Sequence, residues 1–145
     1  MFSVHVAPGG SRKTRPYLED ALKKASREGR VDAALCRGPA DLLIVPRGAE
    51  ARLEARCRLT ADPAAGGGEV TFGLGADRDL TLSSIREDGA MLSLQRELRT
   101  LDGSLLEAQE IPVALERRKE PEPEALLAAA GAMLLLGADP GRIVL

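Results

Sequence analysis

Alternation of apolar and polar residues between residues 68 and 115 constrains the fold of this chain more than any other feature. Val70, Phe72 and Leu74 alternate with polar or small residues, and the same two-residue period returns further along. The later apolar sets are Leu80 and Leu82; Ala90, Leu92, Leu94 and Leu98; and Ile111, Val113 and Leu115. A period of two sustained over this length is typical of strands with one buried face.

Two turn sequences divide this stretch into separate strands. Residues 86–89 read Arg-Glu-Asp-Gly and residues 101–104 read Leu-Asp-Gly-Ser. The Asp-Gly step suits tight hairpins because glycine adopts the positive φ that such turns require. We therefore predict an antiparallel ribbon of about four strands between residues 69 and 115.

The amino-terminal part has the pattern of a strand, a glycine loop and a helix. Val4 and Val6 alternate with polar residues, and Pro-Gly-Gly-Ser at 8–11 then breaks the strand. Pro16 suits the first turn of a helix, where its missing N–H costs nothing. Apolar residues recur at helical spacing over residues 17–28, and Gly29 is a natural stop.

Three further segments complete an α/β fold. Residues 31–36 predict a short strand, and residues 41–45 predict a strand covered on both faces, because their apolar run does not alternate. Residues 124–136 are apolar on nearly all sides, which predicts a helix buried against the sheet. Residues 61–68 resemble a flexible linker, and residues 116–124 a charged, exposed connector.

Residues 50–59 allow two interpretations. Their apolar residues alternate strictly with charged ones, which indicates a strand. Their Ala, Glu, Arg and Leu are strong helix formers, and Leu53 and Cys57 fall four residues apart. On these propensities we predict a helix.

The length of 145 residues favours a single domain with one core. We divide it into a strand-loop-helix and parallel-sheet part at 1–60, the ribbon at 69–115 and a carboxy-terminal helix at 124–145. A net charge of −2 argues against a nucleic-acid partner held by phosphate contacts. No apolar run is long enough to span a membrane, and two cysteines without a signal peptide indicate free thiols, so we expect a cytoplasmic protein.

The loop between the first strand and the first helix is the main candidate for a binding site. Gly9, Gly10 and Ser11 are followed, after one residue, by Lys13 and Thr14. Backbone N–H groups at such a place point towards an anion, and a Lys-Thr pair serves phosphate and Mg²⁺ in P-loops. These five residues are therefore the candidate site for ATP or phosphate.

The loop nevertheless departs from the P-loop pattern at both of its key glycines. Ala7 stands where the first glycine belongs and Arg12 where the second does. A Cβ at the second position obstructs the tight cradle, because the chain there needs a positive φ. Two interpretations remain open: an ordinary strand-to-helix turn with solvated basic residues, or a loop that keeps weak affinity for ATP or phosphate.

The order of these segments resembles the central, ATP-binding domain of the Mur ligases and folylpolyglutamate synthases. Residues 70–77, Val-Thr-Phe-Gly-Leu-Gly-Ala-Asp, are similar to the family's "V-T-F/Y-G … A-D" strand and turn. Residues 124–143 are similar to its Ala/Leu-rich helix and exit, and residues 42–45 to the strand that ends its parallel sheet. Residues 9–14 resemble its G-T-x-G-K-T loop with Arg12 in place of the second glycine.

The departures from the family concern its functional residues. Its G-x-H-N-x-x-N segment should fall near residues 119–124, which contain neither His nor Asn. Its metal-binding Glu and His and its carboxylated lysine have no counterpart between Arg30 and Asp41, and its flanking domains have none in these residues. Of the family's functional residues, only Lys13 and Thr14 match by position.

The resemblance therefore implies a Mur-ligase-like pseudoenzyme. We expect no catalytic residues, no metal and no tightly bound cofactor. Such a domain would act through protein contacts, either with a genuine ligase of peptidoglycan precursor synthesis or with itself. The alternatives are a nucleotide- or phosphate-binding module that uses loop 9–14, and a ligase fragment completed by another chain.

Overall fold

A computed structural model describes residues 1–50, 53–62, 69–116 and 121–145, and these residues form an α/β protein with two helices. A five-stranded parallel sheet, a four-stranded mixed sheet and a two-stranded hairpin make up its β structure. The elements are β1 (Phe2–Val6), α1 (Thr14–Arg27), β2 (Ala33–Leu35), β3 (Ala40–Val45), β4 (Ala55–Thr60), β5 (Glu69–Thr71), β6 (Leu80–Ile85), β7 (Gly89–Leu94), β8 (Leu98–Arg99), β9 (Leu105–Leu106), β10 (Gln109–Ala114), α2 (Pro123–Leu135) and β11 (Ile143–Val144).

The parallel sheet has the strand order β2-β1-β3-β4-β5 and is built around β3. Leu42, Leu43 and Ile44 are almost completely buried, which confirms the prediction of a strand covered on both faces. The predicted strands at 2–7 and 31–36 are confirmed as β1 and β2. Helix α1 connects them, with Pro16 in its first turn and Gly29, at φ 71°, just beyond its end.

The prediction of a helix over residues 50–59 is wrong, because Ala55–Thr60 forms the strand β4. The alternation of apolar and charged residues in this segment, rather than its helix propensity, agrees with the observed strand. Leu59 lies fully buried in the core that faces the helices, whereas the flanking Arg58 does not enter it. A helix would have spread the charged residues around its axis, and the neighbouring β3 supplies the ladder of backbone hydrogen bonds that a strand needs. Residues 51–52 lie outside the described part of the chain.

The antiparallel ribbon is confirmed only from residue 80 onwards. Strands β6, β7 and β10 pair antiparallel, and β11 adds to β10 in parallel. Strand β5, at 69–71, belongs instead to the parallel sheet beside β4, so the predicted start of the ribbon is wrong. The chain reverses at both predicted turns, between β6 and β7 and between β8 and β9. Gly103 adopts the positive φ that the prediction requires, at 91°, whereas Gly89 is the first residue of β7 and does not have a positive φ.

Helix α2 lies at the centre of the molecule, as its uniformly apolar sequence predicts. It contacts α1, the parallel sheet and β6, and every residue from Ala125 to Leu135 is buried. Gly131 marks the closest approach, since a Cβ built there would lie 3.2 Å from methyl carbons of both Leu59 and Leu80. The helix therefore joins the two sheets into one core.

Parts of the two predicted connectors, residues 63–68 and 117–120, lie outside the described residues. Within the described ranges, neither helix is long and apolar enough to cross a membrane.

Candidate functional site

Loop 9–14 joins β1 to α1 at the carboxyl ends of the parallel strands, where ligands of open α/β sheets commonly bind. Two other segments meet it there. Residues 46–49 follow β3, and residues 121–122 precede α2. The loop is therefore enclosed by neighbours that are distant in sequence, and their contacts decide what it can bind.

The structure explains why residues 9 and 10 of the loop are both glycine. A Cβ on Gly9 would lie only 2.7 Å from the Cβ of Ala49 and 2.8 Å from its backbone nitrogen, so the loop fits against residues 46–49 only because Gly9 lacks a side chain. Gly10 adopts φ 72° and its N–H donates to the Arg47 carbonyl at 2.8 Å. These glycines fix the loop to the neighbouring segment.

Oxygen atoms of Ser11 and Thr14 accept hydrogen bonds from backbone N–H groups of the same loop. The N–H of Ser11 donates to Thr14 Oγ1 at 3.2 Å, and the N–H of Lys13 donates to Ser11 Oγ at 3.3 Å. The N–H of Thr14 donates to the Ser11 carbonyl at 3.1 Å. In a phosphate-binding loop such N–H groups converge on the anion, but here three of them converge on the loop's own oxygen atoms.

A carboxylate from the start of α2 also reaches this loop. Ser11 Oγ donates to Glu122 Oε2 at 2.8 Å. Anions are stabilised near helix amino termini, and the first turn of α1 contains no acidic residue of its own. Glu122 thus places a negative charge beside the start of α1, where a phosphate group would have to sit.

The two basic residues of the loop point away from this closed arrangement. Arg12 and Lys13 are both exposed, and Arg12 has a negative φ. Arg12 therefore avoids the left-handed conformation that the second glycine of a P-loop supplies. Thr14, by contrast, is only 5% exposed and its hydroxyl lies 3.3 Å from Ser11 Oγ. Of the Lys-Thr pair, the Lys13 side chain therefore lies in solvent and the Thr14 side chain in the interior.

An ion pair joins residues 46–49 to the start of α2. Arg47 Nη2 lies 2.8 Å from Glu124 Oε1, and its Nε donates to the same oxygen at 2.9 Å. The hydrogen bond and the charge of Glu124 raise the pKa of Arg47 above its usual value. Arg47 therefore stays charged and connects the segment after β3 to the first turn of α2.

The two cysteines and Asp79 also lie in surroundings that do not favour a catalytic role. Cys36 and Cys57 are free, half-buried thiols, and burial raises the pKa of Cys57, which disfavours the thiolate. Asp79, between β5 and β6, accepts hydrogen bonds from the N–H and hydroxyl of Thr71. The described residues contain no group of three or more His, Cys, Asp or Glu side chains arranged to hold a metal ion.

Sequence reasoning missed Glu122, Arg47 and Glu124, which lie far from loop 9–14 along the chain. The sequence offered one general indication of such contacts, namely that loops following parallel strands lie together at the carboxyl edge of the sheet. All five predicted site residues take part in the closed loop, but Lys13 does so only through its N–H, and its side chain is exposed.

Comparison of the chain with protein-family models, with curated proteins and with solved structures finds no match.

Proposed function

We propose that this chain is a non-catalytic domain that acts through protein contacts. The observation that supports this proposal is the hydrogen bonding of loop 9–14, where the N–H groups of residues 10, 11, 13 and 14 donate to Ser11, Thr14 and the Arg47 carbonyl. Glu122 adds a negative charge at the same place. A nucleotide phosphate would have to break these bonds and approach a carboxylate, so the closed loop disfavours it.

The partner follows from the resemblance rather than from the site. Because the segment order is similar to the central domain of Mur ligases, we propose a ligase of peptidoglycan precursor synthesis, or a second copy of this chain, as the protein contacted. The departures from the family motif support a pseudoenzyme, since phosphoryl transfer depends on positioned charge and metal, and Arg12 replaces the glycine that shapes the family's phosphate cradle.

Turnover measurements test the absence of catalysis. The purified chain, incubated with Mg²⁺ and ATP, is expected to release no phosphate above the level of a Lys13→Ala control, with or without added amino acids. Lys13 is exposed, so this variant should fold as the natural chain does. Hydrolysis that is lost in the Lys13→Ala variant would contradict the proposal and favour a nucleotide-binding module that uses loop 9–14.

A further inference from the structure

A groove of about 700 Å³ runs between α1 and the edge strand β2, at the opposite end of the strand order from β5. Its floor consists of buried apolar side chains, Val4, Leu22 and Ala33. The outer wall is the exposed side of α1, and the other wall is β2 itself, with Ala34 exposed and Leu35 half-buried. The groove therefore combines an apolar floor with an open strand edge.

Within the described residues, no strand pairs with the second backbone edge of β2. Its other edge pairs in parallel with β1, to which the Asp32 carbonyl and the Cys36 N–H are bonded. By the alternation of a parallel ladder, the peptide groups of Ala33 and Leu35 point away from β1. Ser26 Oγ, from α1, donates to the Ala33 carbonyl at 2.9 Å, so one outward-pointing group of this edge is already bonded. Open edges of this kind are templates for an added strand.

The charges along the groove favour an acidic occupant. Lys23 and Arg27 lie one helical turn apart on α1, are exposed and line the groove. Neither has an ion-pair partner within the described ranges, whereas the nearby Lys24 is paired with Glu116. Asp20 is the one acidic side chain of the lining, so the groove has a net positive charge.

We propose that this groove binds an extended segment of a partner protein that carries acidic side chains, added as a strand beside β2. Three residues of β2 span about 10 Å, which suits a paired segment of about three residues. Backbone hydrogen bonds to the N–H of Ala33 and to the N–H and carbonyl of Leu35 would hold the segment, and acidic side chains on the α1 side would pair with Lys23 and Arg27. The proposal rests on the proposed function and specifies its contact surface.

Peptide titrations followed by NMR of the ¹⁵N-labelled chain test the groove. The probes are blocked pentapeptides in which Val, Ile or Thr alternates with Glu, and matched peptides with Lys in place of Glu. The Glu peptides are expected to shift the amide signals of β2 and of residues 20–27, and to bind at least about fivefold more tightly than the Lys peptides at low salt. N-methylation of alternate peptide nitrogens should abolish binding, because it removes the backbone donors.

Matched charge reversals on the protein complete the test. The double variant K23E/R27E should reverse the preference for Glu over Lys peptides, and R86E/R142E, which changes two exposed arginines elsewhere, should leave it unchanged. Shifts outside the groove, equal binding of N-methylated peptides, or no shifts at millimolar peptide would overturn the groove assignment. So would a dimer formed through β2, which would assign the edge to a second copy. These outcomes are distinct from failure of the proposed function, which ATP turnover would reveal.

Discussion

Ser11 Oγ lies 2.8 Å from Glu122 Oε2, although the two residues are separated by 111 positions in the sequence. This contact brings a carboxylate from the start of α2 to the loop at the start of α1. The same two segments are joined through Arg47, which binds Gly10 through its carbonyl and Glu124 through its side chain. A loop that by sequence resembles a phosphate cradle is thus closed by its own neighbours.

Removal of the Glu122 charge should make the loop more attractive to anions. We expect Glu122→Gln to raise the affinity for inorganic phosphate by up to about fivefold at low salt, because one exposed negative charge is lost beside Ser11. NMR titration of the loop amides with phosphate measures this. The matched variant Glu87→Gln, on the exposed turn between β6 and β7, should show no gain. Equal phosphate affinities for the natural chain and both variants would mean that the charge of Glu122 does not weaken anion binding at the loop.

The packing of loop 9–14 against residues 46–49 should depend on Gly9. A methyl group there would overlap Ala49, so Gly9→Ala should lower the free energy of unfolding by about 1–3 kcal/mol. Gly38→Ala is the control, since a Cβ at Gly38 would meet nothing within 4 Å, and it should change stability by less than about 0.5 kcal/mol. Urea unfolding measures the stability of both variants. Similar small losses of stability for Gly9→Ala and Gly38→Ala would show that Gly9 and Ala49 do not approach so closely in solution.

Gly131 should tolerate a methyl group but nothing larger. Ala favours a helix over Gly by about 1 kcal/mol, which offsets the slight crowding of Leu59 and Leu80 at 3.2 Å. We therefore expect Gly131→Ala to stay within about 1 kcal/mol of the natural chain, and Gly131→Leu to lose about 1–3 kcal/mol or more through overpacking. Thermal and urea unfolding measure both. A fully tolerated leucine would place α2 further from the sheets than described.

Stability should fall in acid partly through Asp102. The hydrogen bond from the Thr100 hydroxyl, followed by the bonds from Ser104, lowers the pKa of Asp102 below the ordinary value of an aspartate side chain. A lowered folded-state pKa stabilises the protein above the unfolded-state value, and this contribution is lost as the pH falls through the folded-state value. Unfolding curves between pH 7 and pH 2.5 should therefore show a drop below about pH 4.

Two variants isolate this contribution. Asp102→Asn removes the titrating group and Thr100→Val removes the first donor, so each should flatten the drop below about pH 4. An acid profile of Asp102→Asn that runs parallel to that of the natural chain would show that Asp102 does not contribute.

Local patterns in the sequence predict most of the fold. The positions of α1, α2, the buried β3 and the two chain reversals follow from spacing and turn sequences within a few residues, although only Gly103 adopts the positive φ expected of an Asp-Gly turn. Strand β4 was missed because the helix propensity of its Ala, Arg and Leu opposes its alternation, and pairing with β3 decides between them. The parallel pairing of β5 was missed because period-two alternation gives no information on which strand lies alongside.

The candidate site is less predictable than the fold for a related reason. Loop 9–14 was located from its glycines and its Lys-Thr pair, which are local features. Its closure depends on Ala49 and Glu122, which reach it only through the arrangement of the sheet. The groove beside β2 likewise exists only because α1 packs over a short edge strand.

Calorimetric titration of the natural chain with ATP at two salt concentrations tests the central claim most directly. Arg12 and Lys13 still attract an anion as exposed surface charges, so we predict millimolar or weaker affinity that fades as salt increases. Micromolar affinity that resists salt would contradict the account, because it would require loop 9–14 to open into a phosphate cradle and release Glu122.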